Sequence, residues 1–133
     1  MWTIDRFREV SLALRPANPI IQHHCTFVFD KRRLVAIGTN KLKTSPKNLK
    51  YRYTDKQSGR SISSEVMLHS ELDSVVKLGE RNDYDSLVFV NTRINKHGNL
   101  SMAKPCSGCA HMFSQIGYKK LYYSTNCGKM VEY

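Results

Sequence analysis

Leu87-Val88-Phe89-Val90, Pro105-Cys106-Ser107-Gly108-Cys109-Ala110 and Lys120-Leu121-Tyr122-Tyr123 form one strand, helix and strand unit, and this unit decides the fold. Four consecutive apolar residues between polar segments read as a buried strand. The turn Lys96-His97-Gly98-Asn99 follows. Ala110, Phe113 and Ile116 then recur on one helical face that stops at Gly117, and Pro105 suits a first helical turn, where its missing N–H would be unpaired in any case. A strand, a helix and a second strand imply a parallel crossover with the helix covering the sheet.

Working toward the N-terminus, Leu68, Leu72, Val75 and Val76 mark one face of a helix starting near Ser64, with Gly79 as its C-cap. Residues 41–63 show little periodicity. They hold Lys41, Lys43, Lys47, Lys50, Arg52, Lys56 and Arg60 against the single acid Asp55, and read as a long basic loop. Thr26-Phe27-Val28-Phe29 and Leu34-Val35-Ala36-Ile37, separated by Asp30-Lys31-Arg32-Arg33, predict an antiparallel hairpin whose second strand ends at Gly38. Ile4, Phe7, Val10 and Leu14 predict an amphipathic helix over about residues 3–15, stopped by Pro16 and Pro19. Toward the C-terminus, Asn126-Cys127-Gly128 suggests a turn into a short antiparallel strand, Lys129 to Glu132. The order predicts a three-layer α/β/α sandwich around a mixed five-stranded sheet, and residues 1–133 read as a single domain without repeats or linkers.

Apolar residues make up 41% of the chain and charged residues 24%, the balance of a folded globular protein. The N-terminal stretch Met1-Trp2-Thr3-Ile4-Asp5-Arg6 is charged where a secretory signal is apolar, and no stretch approaches the ~18 apolar residues of a membrane span. A cytoplasmic, membrane-free protein is expected. In a reducing compartment the close pair Cys106 and Cys109 reads as metal-binding rather than as half of a disulfide framework. The net charge of +10 favours phosphate-bearing partners and serves equally as a solvated surface.

His69-Ser70-Glu71 near the start of one helix and Cys106 and Cys109 at the start of the next both follow strands, so these side chains can meet at one edge of the sheet. Cysteines at i and i+3 in a first helical turn present both sulfurs to one side, and the positive helix end favours their thiolates. His69, Cys106 and Cys109 supply three zinc ligands and leave a tetrahedral position for water, the pattern of a catalytic site. Glu71 falls short of the metal yet within reach of that water as proton carrier. The competing reading is a structural zinc held by Cys25, Cys106, Cys109 and Cys127. His-x-Glu alone is close to noise. Joined to Pro-Cys-x-x-Cys on the following helix it is the signature of zinc nucleobase deaminases.

On these motifs, on the hairpin and on Gly117 to Tyr122, the chain resembles the cytidine and deoxycytidylate deaminase superfamily, with His69 to Asp73 and Pro105 to Ala110 nearest the deoxycytidylate branch. The resemblance implies that Asn40 hydrogen-bonds the sugar and that the backbone near Ser70 contacts the base. It also implies a phosphate for one of the loop cations, such as Lys43, to meet. The short antiparallel C-terminal strand instead matches the free-nucleoside branch, whereas the long basic loop is nearer the nucleotide branch. Deamination of a cytosine nucleotide is the first expectation, with a small-molecule partner and a homo-oligomeric assembly. The alternatives are a base in single-stranded DNA or RNA, with Tyr51 and Tyr53 stacking amid the loop cations, a free nucleoside, or a noncatalytic nucleic-acid module with structural zinc. His23, His24, His97 and His111 lack partners at ligand spacing and read as surface or capping residues.

Overall fold

The computed structural model describes residues 2–15, 23–40 and 69–133. In chain order these form α1 (Ile4–Ala13), β1 (His23–Asp30), β2 (Arg33–Thr39), α2 (Ser70–Leu78), β3 (Leu87–Ile94), α3 (Ser107–Ile116), β4 (Lys120–Ser124) and β5 (Met130–Glu132), with one 3₁₀ turn at Tyr84–Ser86. The basic loop 41–63 and the pair Pro16 and Pro19 lie outside the described residues.

The strands make one sheet in the order β2-β1-β3-β4-β5. β1 is antiparallel to both β2 and β3, so β2 and β3 run in the same direction. β3 and β4 pair in parallel through α3, and β5 returns antiparallel along β4 as expected from Asn126-Cys127-Gly128. Because α2 follows β2 and α3 follows β3, both helices begin at the same edge of the sheet. The hairpin turn is shorter than the sequence suggests, since Asp30 and Arg33 are already paired and only Lys31 and Arg32 connect the strands. Lys31 takes the positive φ of 59° that such two-residue connections demand.

Alternation along β1 and β3 sends side chains to two cores. Phe27, Phe29 and Val90 meet Phe7 of α1 on one face. Val28, Leu87, Phe89 and Leu121 meet Leu72 and Val75 of α2 and Met112 and Phe113 of α3 on the other. The layering is therefore α/β/α, with helices on both faces of a mixed five-stranded sheet. Among the described residues no helix is long and apolar enough to cross a membrane.

Several local expectations change. α1 forms where predicted, capped by Thr3, whose hydroxyl accepts from the Arg6 N–H at 3.2 Å. Its buried positions, however, are Phe7 and Ser11, while Ile4 and Leu14 are exposed at the two ends. Ser11 can be buried because its hydroxyl pairs with Thr92 at 2.7 Å. α2 begins at Ser70, because His69 has the extended backbone of an N-cap; Ser64 and Leu68 lie outside the described residues. Pro105 precedes the N-cap Cys106 and so stands just outside the first turn of α3. On α3 the fully buried apolar residues are Met112 and Phe113, with Ile116 packed at the margin. Gly38 does not end β2, which continues to Thr39. A Cβ at Gly38 would overlap the Ser70 carbonyl oxygen and sit 2.5 Å from the Ser74 nitrogen, so the missing side chain lets α2 rest directly on the strand. Asp73 fixes the same contact, accepting from the Thr39 N–H at 2.9 Å and pairing with Lys77 at 3.1 Å.

Candidate active site

The two N-caps face each other. His69 caps α2 and Cys106 caps α3, with Cys109 one turn into α3, as expected from the i and i+3 spacing. His69 Nδ1 lies 3.5 Å from Cys106 Sγ and 3.4 Å from Cys109 Sγ. The ligand atoms of these three residues all fall within 4.8 Å of one another, and no other such group of three occurs among the described residues. Zn–S bonds of about 2.3 Å and Zn–N bonds of about 2.0 Å at tetrahedral angles place sulfur and nitrogen roughly 3.5 Å apart. The donor set and its spacing therefore fit a metal ion of that kind.

The charges suit it as well. A hydrogen bond from the Cys109 thiol, reinforced by His69 and by the Cys109 N–H, holds the Cys106 thiol down at about 4 despite its burial. Donating that bond, and being buried, raises Cys109 well above an ordinary thiol. Contact with Cys106 raises His69. A metal held here would bind both sulfurs as thiolates and displace their shared proton.

Glu71, one helical residue beyond Ser70, is 7% exposed and is not a member of the ligand group. Burial raises its carboxyl pKa, and the Cys106 charge adds to the effect. Ser70 Oγ donates to Glu71 Oε1 at 3.0 Å and lies 2.9 Å from Thr26 Oγ1, which in turn contacts Asn91 Oδ1 at 2.8 Å. Thr26 and Asn91 are register partners on β1 and β3. The sequence hints at neither role, although each is a polar residue continuing an apolar strand run.

Asn40, directly after β2, is tied to the neighbouring strand: its Oδ1 accepts from the His24 N–H at 2.9 Å, and its own N–H donates to the His24 carbonyl at 3.4 Å. Lys43 lies outside the described residues.

The histidine expectations are partly overturned. His23 is buried, its Nε2 2.9 Å from the Ser11 carbonyl oxygen and 3.2 Å from Cys25 Sγ, so it belongs to the core beneath α1 rather than to the surface. His24 is half-buried, and burial, followed by the charges of Arg93 and His69, lowers its pKa to about 4. Arg93 is its register partner on β3, and Arg93 Nε is buried without a hydrogen-bond partner among the described residues. His97 is exposed in its turn and His111 half-buried on α3. A four-cysteine site does not assemble, because Cys25 packs with the α1 core while Cys127 is exposed in the turn before β5.

No family model matches the chain, and no curated protein does. Solved structures do. The apo dCMP deaminase of cyanophage S-TIM5 aligns with a TM-score of 0.54 at 20% identity, over 91% of this chain and 79% of that one. The dCMP deaminase of the same phage in complex with dCMP and dUMP aligns at 0.50 and 20% identity, over 92% and 76%. At this identity the likeness is one of fold, and it is the deaminase-like fold expected from the motifs.

Proposed function

We propose that the chain is a zinc-dependent hydrolytic deaminase of a cytosine nucleotide, of the deoxycytidylate to deoxyuridylate type, releasing ammonia. One observation carries the reading: a His–Cys–Cys group at two facing helix N-termini, beside a buried carboxylate that does not belong to the group. A structural metal has no use for that carboxylate. The fold likeness to dCMP deaminases supports the same reaction class.

His69, Cys106 and Cys109 would hold the zinc, which supplies an activated water and an electrophilic centre when bound. Glu71 then carries the protons. It accepts one from the water that attacks C4 of the pyrimidine, passes it to the ring nitrogen, and delivers the second to the departing amine. Water is consumed, the C4–N bond breaks and ammonia leaves. A carboxyl group whose pKa is raised by burial suits both halves of that exchange better than an exposed one.

Asn40 is assigned to the sugar by the family resemblance, and its bond from the His24 N–H holds it at the end of β2. The Ser70 backbone is assigned to the base. The phosphate is assigned to one of the loop cations, such as Lys43, on the family resemblance. Ammonia release from cytosine, deoxycytidine, deoxycytidylate and a cytosine-bearing oligonucleotide tests the assignment. Deoxycytidylate should be the best substrate, with weak dependence on salt. Oligonucleotide turnover that collapses with salt, beside negligible activity on deoxycytidylate, would transfer the function to single-stranded nucleic acid, since polymer binding releases counterions along several phosphates. Equal rates on deoxycytidine and deoxycytidylate would make it a nucleoside deaminase.

A further inference from the structure

Behind Glu71 runs a buried row of side chains that belongs neither to the ligand group nor to the apolar core: Ser70, Thr26 and Asn91, each 2% exposed or less. The three contacts in the row are Glu71 to Ser70 at 3.0 Å, Ser70 to Thr26 at 2.9 Å and Thr26 to Asn91 at 2.8 Å. Three hydrogen bonds need three hydrogens, and the two hydroxyls carry one each. With Asn91 presenting Oδ1, Thr26 gives its hydrogen to Asn91 and Ser70 gives its own to Glu71. The contact between the hydroxyls is then left without a proton. At the same time Asn91 Nδ2 is buried with no partner among the described residues. Two buried faults in adjacent groups have a common remedy.

The oxygen and nitrogen of an asparagine amide are assigned by their hydrogen bonds, not by their shape. Exchanging them lets Nδ2–H donate to Thr26 Oγ1, Thr26 O–H to Ser70 Oγ, and Ser70 O–H to Glu71 Oε1. Every contact gains a hydrogen, and the row runs in one direction toward the carboxylate. The amide oxygen takes the unpartnered place, which a carbonyl tolerates better than an N–H does. Protonating Glu71 instead would repair the hydroxyl contact but leave Nδ2 orphaned.

We propose that Asn91 and Thr26 are positioning residues that act through Ser70: a one-way hydrogen-bond row pins one oxygen of Glu71, reserving the other for proton transfer. The strand register makes this possible, because Thr26 and Asn91 are cross-strand partners whose side chains rise together beneath the first turn of α2. Gly38, the partner of Thr26 on its other side, brings Ser70 down to them.

The inference rests on Glu71 being the proton carrier of the proposed deaminase, and the test separates the two. Thr26→Val keeps the shape of the side chain and removes the hydroxyl; Thr26→Ser keeps the hydroxyl. On whichever substrate the wild type turns over, Thr26→Val should lower kcat roughly tenfold, the effect of one lost hydrogen bond. KM should change less than about twofold. Zinc content should be retained, and Thr26→Ser should restore most of the rate. Asn91→Asp, which supplies acceptors in place of the donor, should lower kcat as Thr26→Val does. Wild-type kcat in Thr26→Val, or in Asn91→Asp, overturns the row or its direction while leaving the deaminase reading intact. A second measurement needs no turnover. The side-chain amide hydrogens of Asn91, followed by NMR in the wild type, should show a hydrogen-bonded shift that Thr26→Val abolishes. Identical signals in the two proteins would overturn the proposal whatever the enzyme assay gives.

Discussion

β1 and β3 present two unlike faces through alternate residues of the same strands. Toward α1 they offer Phe27, Phe29 and Val90, and the two phenylalanines meet Phe7 and Trp2 edge-on with ring centroids 5.2 to 5.9 Å apart. Toward α2 they offer, beside the apolar Val28 and Phe89, the polar Thr26 and Asn91, which are just as deeply buried but meet Ser70 and, through it, Glu71. The first arrangement removes aromatic surface from water and gains further from ring geometry. The second removes polar groups from water, which is tolerable only because nearly every one finds a partner. Both faces carry an apolar core, and the α2 face adds a buried polar row, one residue along each strand from the aromatic cluster.

The largest effect should come from Glu71→Gln, which keeps the volume and the hydrogen bond from Ser70 but cannot carry the proton. Turnover should fall by at least about 10²–10⁴-fold, while zinc content and melting temperature stay near wild type. Phe27→Ala attacks the other face and should cost about 3–5 kcal/mol in denaturant unfolding, with zinc still bound by the folded fraction. If Phe27→Ala instead abolished zinc binding in fully folded protein, the two faces would not be separable.

Gly38→Ala tests the contact that brings α2 onto the sheet. A methyl group there meets backbone rather than a flexible side chain, so overpacking should cost about 1–3 kcal/mol. Turnover should fall too, since Ser70 and Glu71 ride on the displaced turn. Loss of stability with an unchanged rate would show that the site does not depend on that approach. Asn40→Ala should have the smallest effect, about 0.5–1.5 kcal/mol in kcat/KM if one hydrogen bond to the sugar is lost, with zinc content unchanged. An unaltered specificity constant would restrict Asn40 to its bonds with His24.

Much of this was legible in the sequence. Helical spacing placed α1 and α3, alternation and turn residues placed the hairpin, and Asn126-Cys127-Gly128 placed the last reversal. His69, Cys106 and Cys109 were visible because local rules fix them: each sits in or beside the first turn of a helix that follows a strand. What the sequence concealed depends on contacts between distant elements. Ser11 is buried because Thr92 waits for it across the core, and His23 because the Ser11 carbonyl oxygen does. Gly38 looks like a strand terminator until α2 is laid over it. Thr26 and Asn91 look like ordinary strand residues until register brings them together under Glu71.

We propose a division of labour at one edge of the sheet, with His69, Cys106 and Cys109 for the metal and Glu71 for the protons. Metal analysis of purified wild type, Glu71→Gln and Cys106→Ala, each confirmed to be folded, tests it most directly. One zinc per chain is expected in the wild type and in Glu71→Gln, and a much reduced content in Cys106→Ala. A wild type without zinc, a Cys106→Ala variant that keeps its full complement, or a Glu71→Gln variant that loses it would rule out this division.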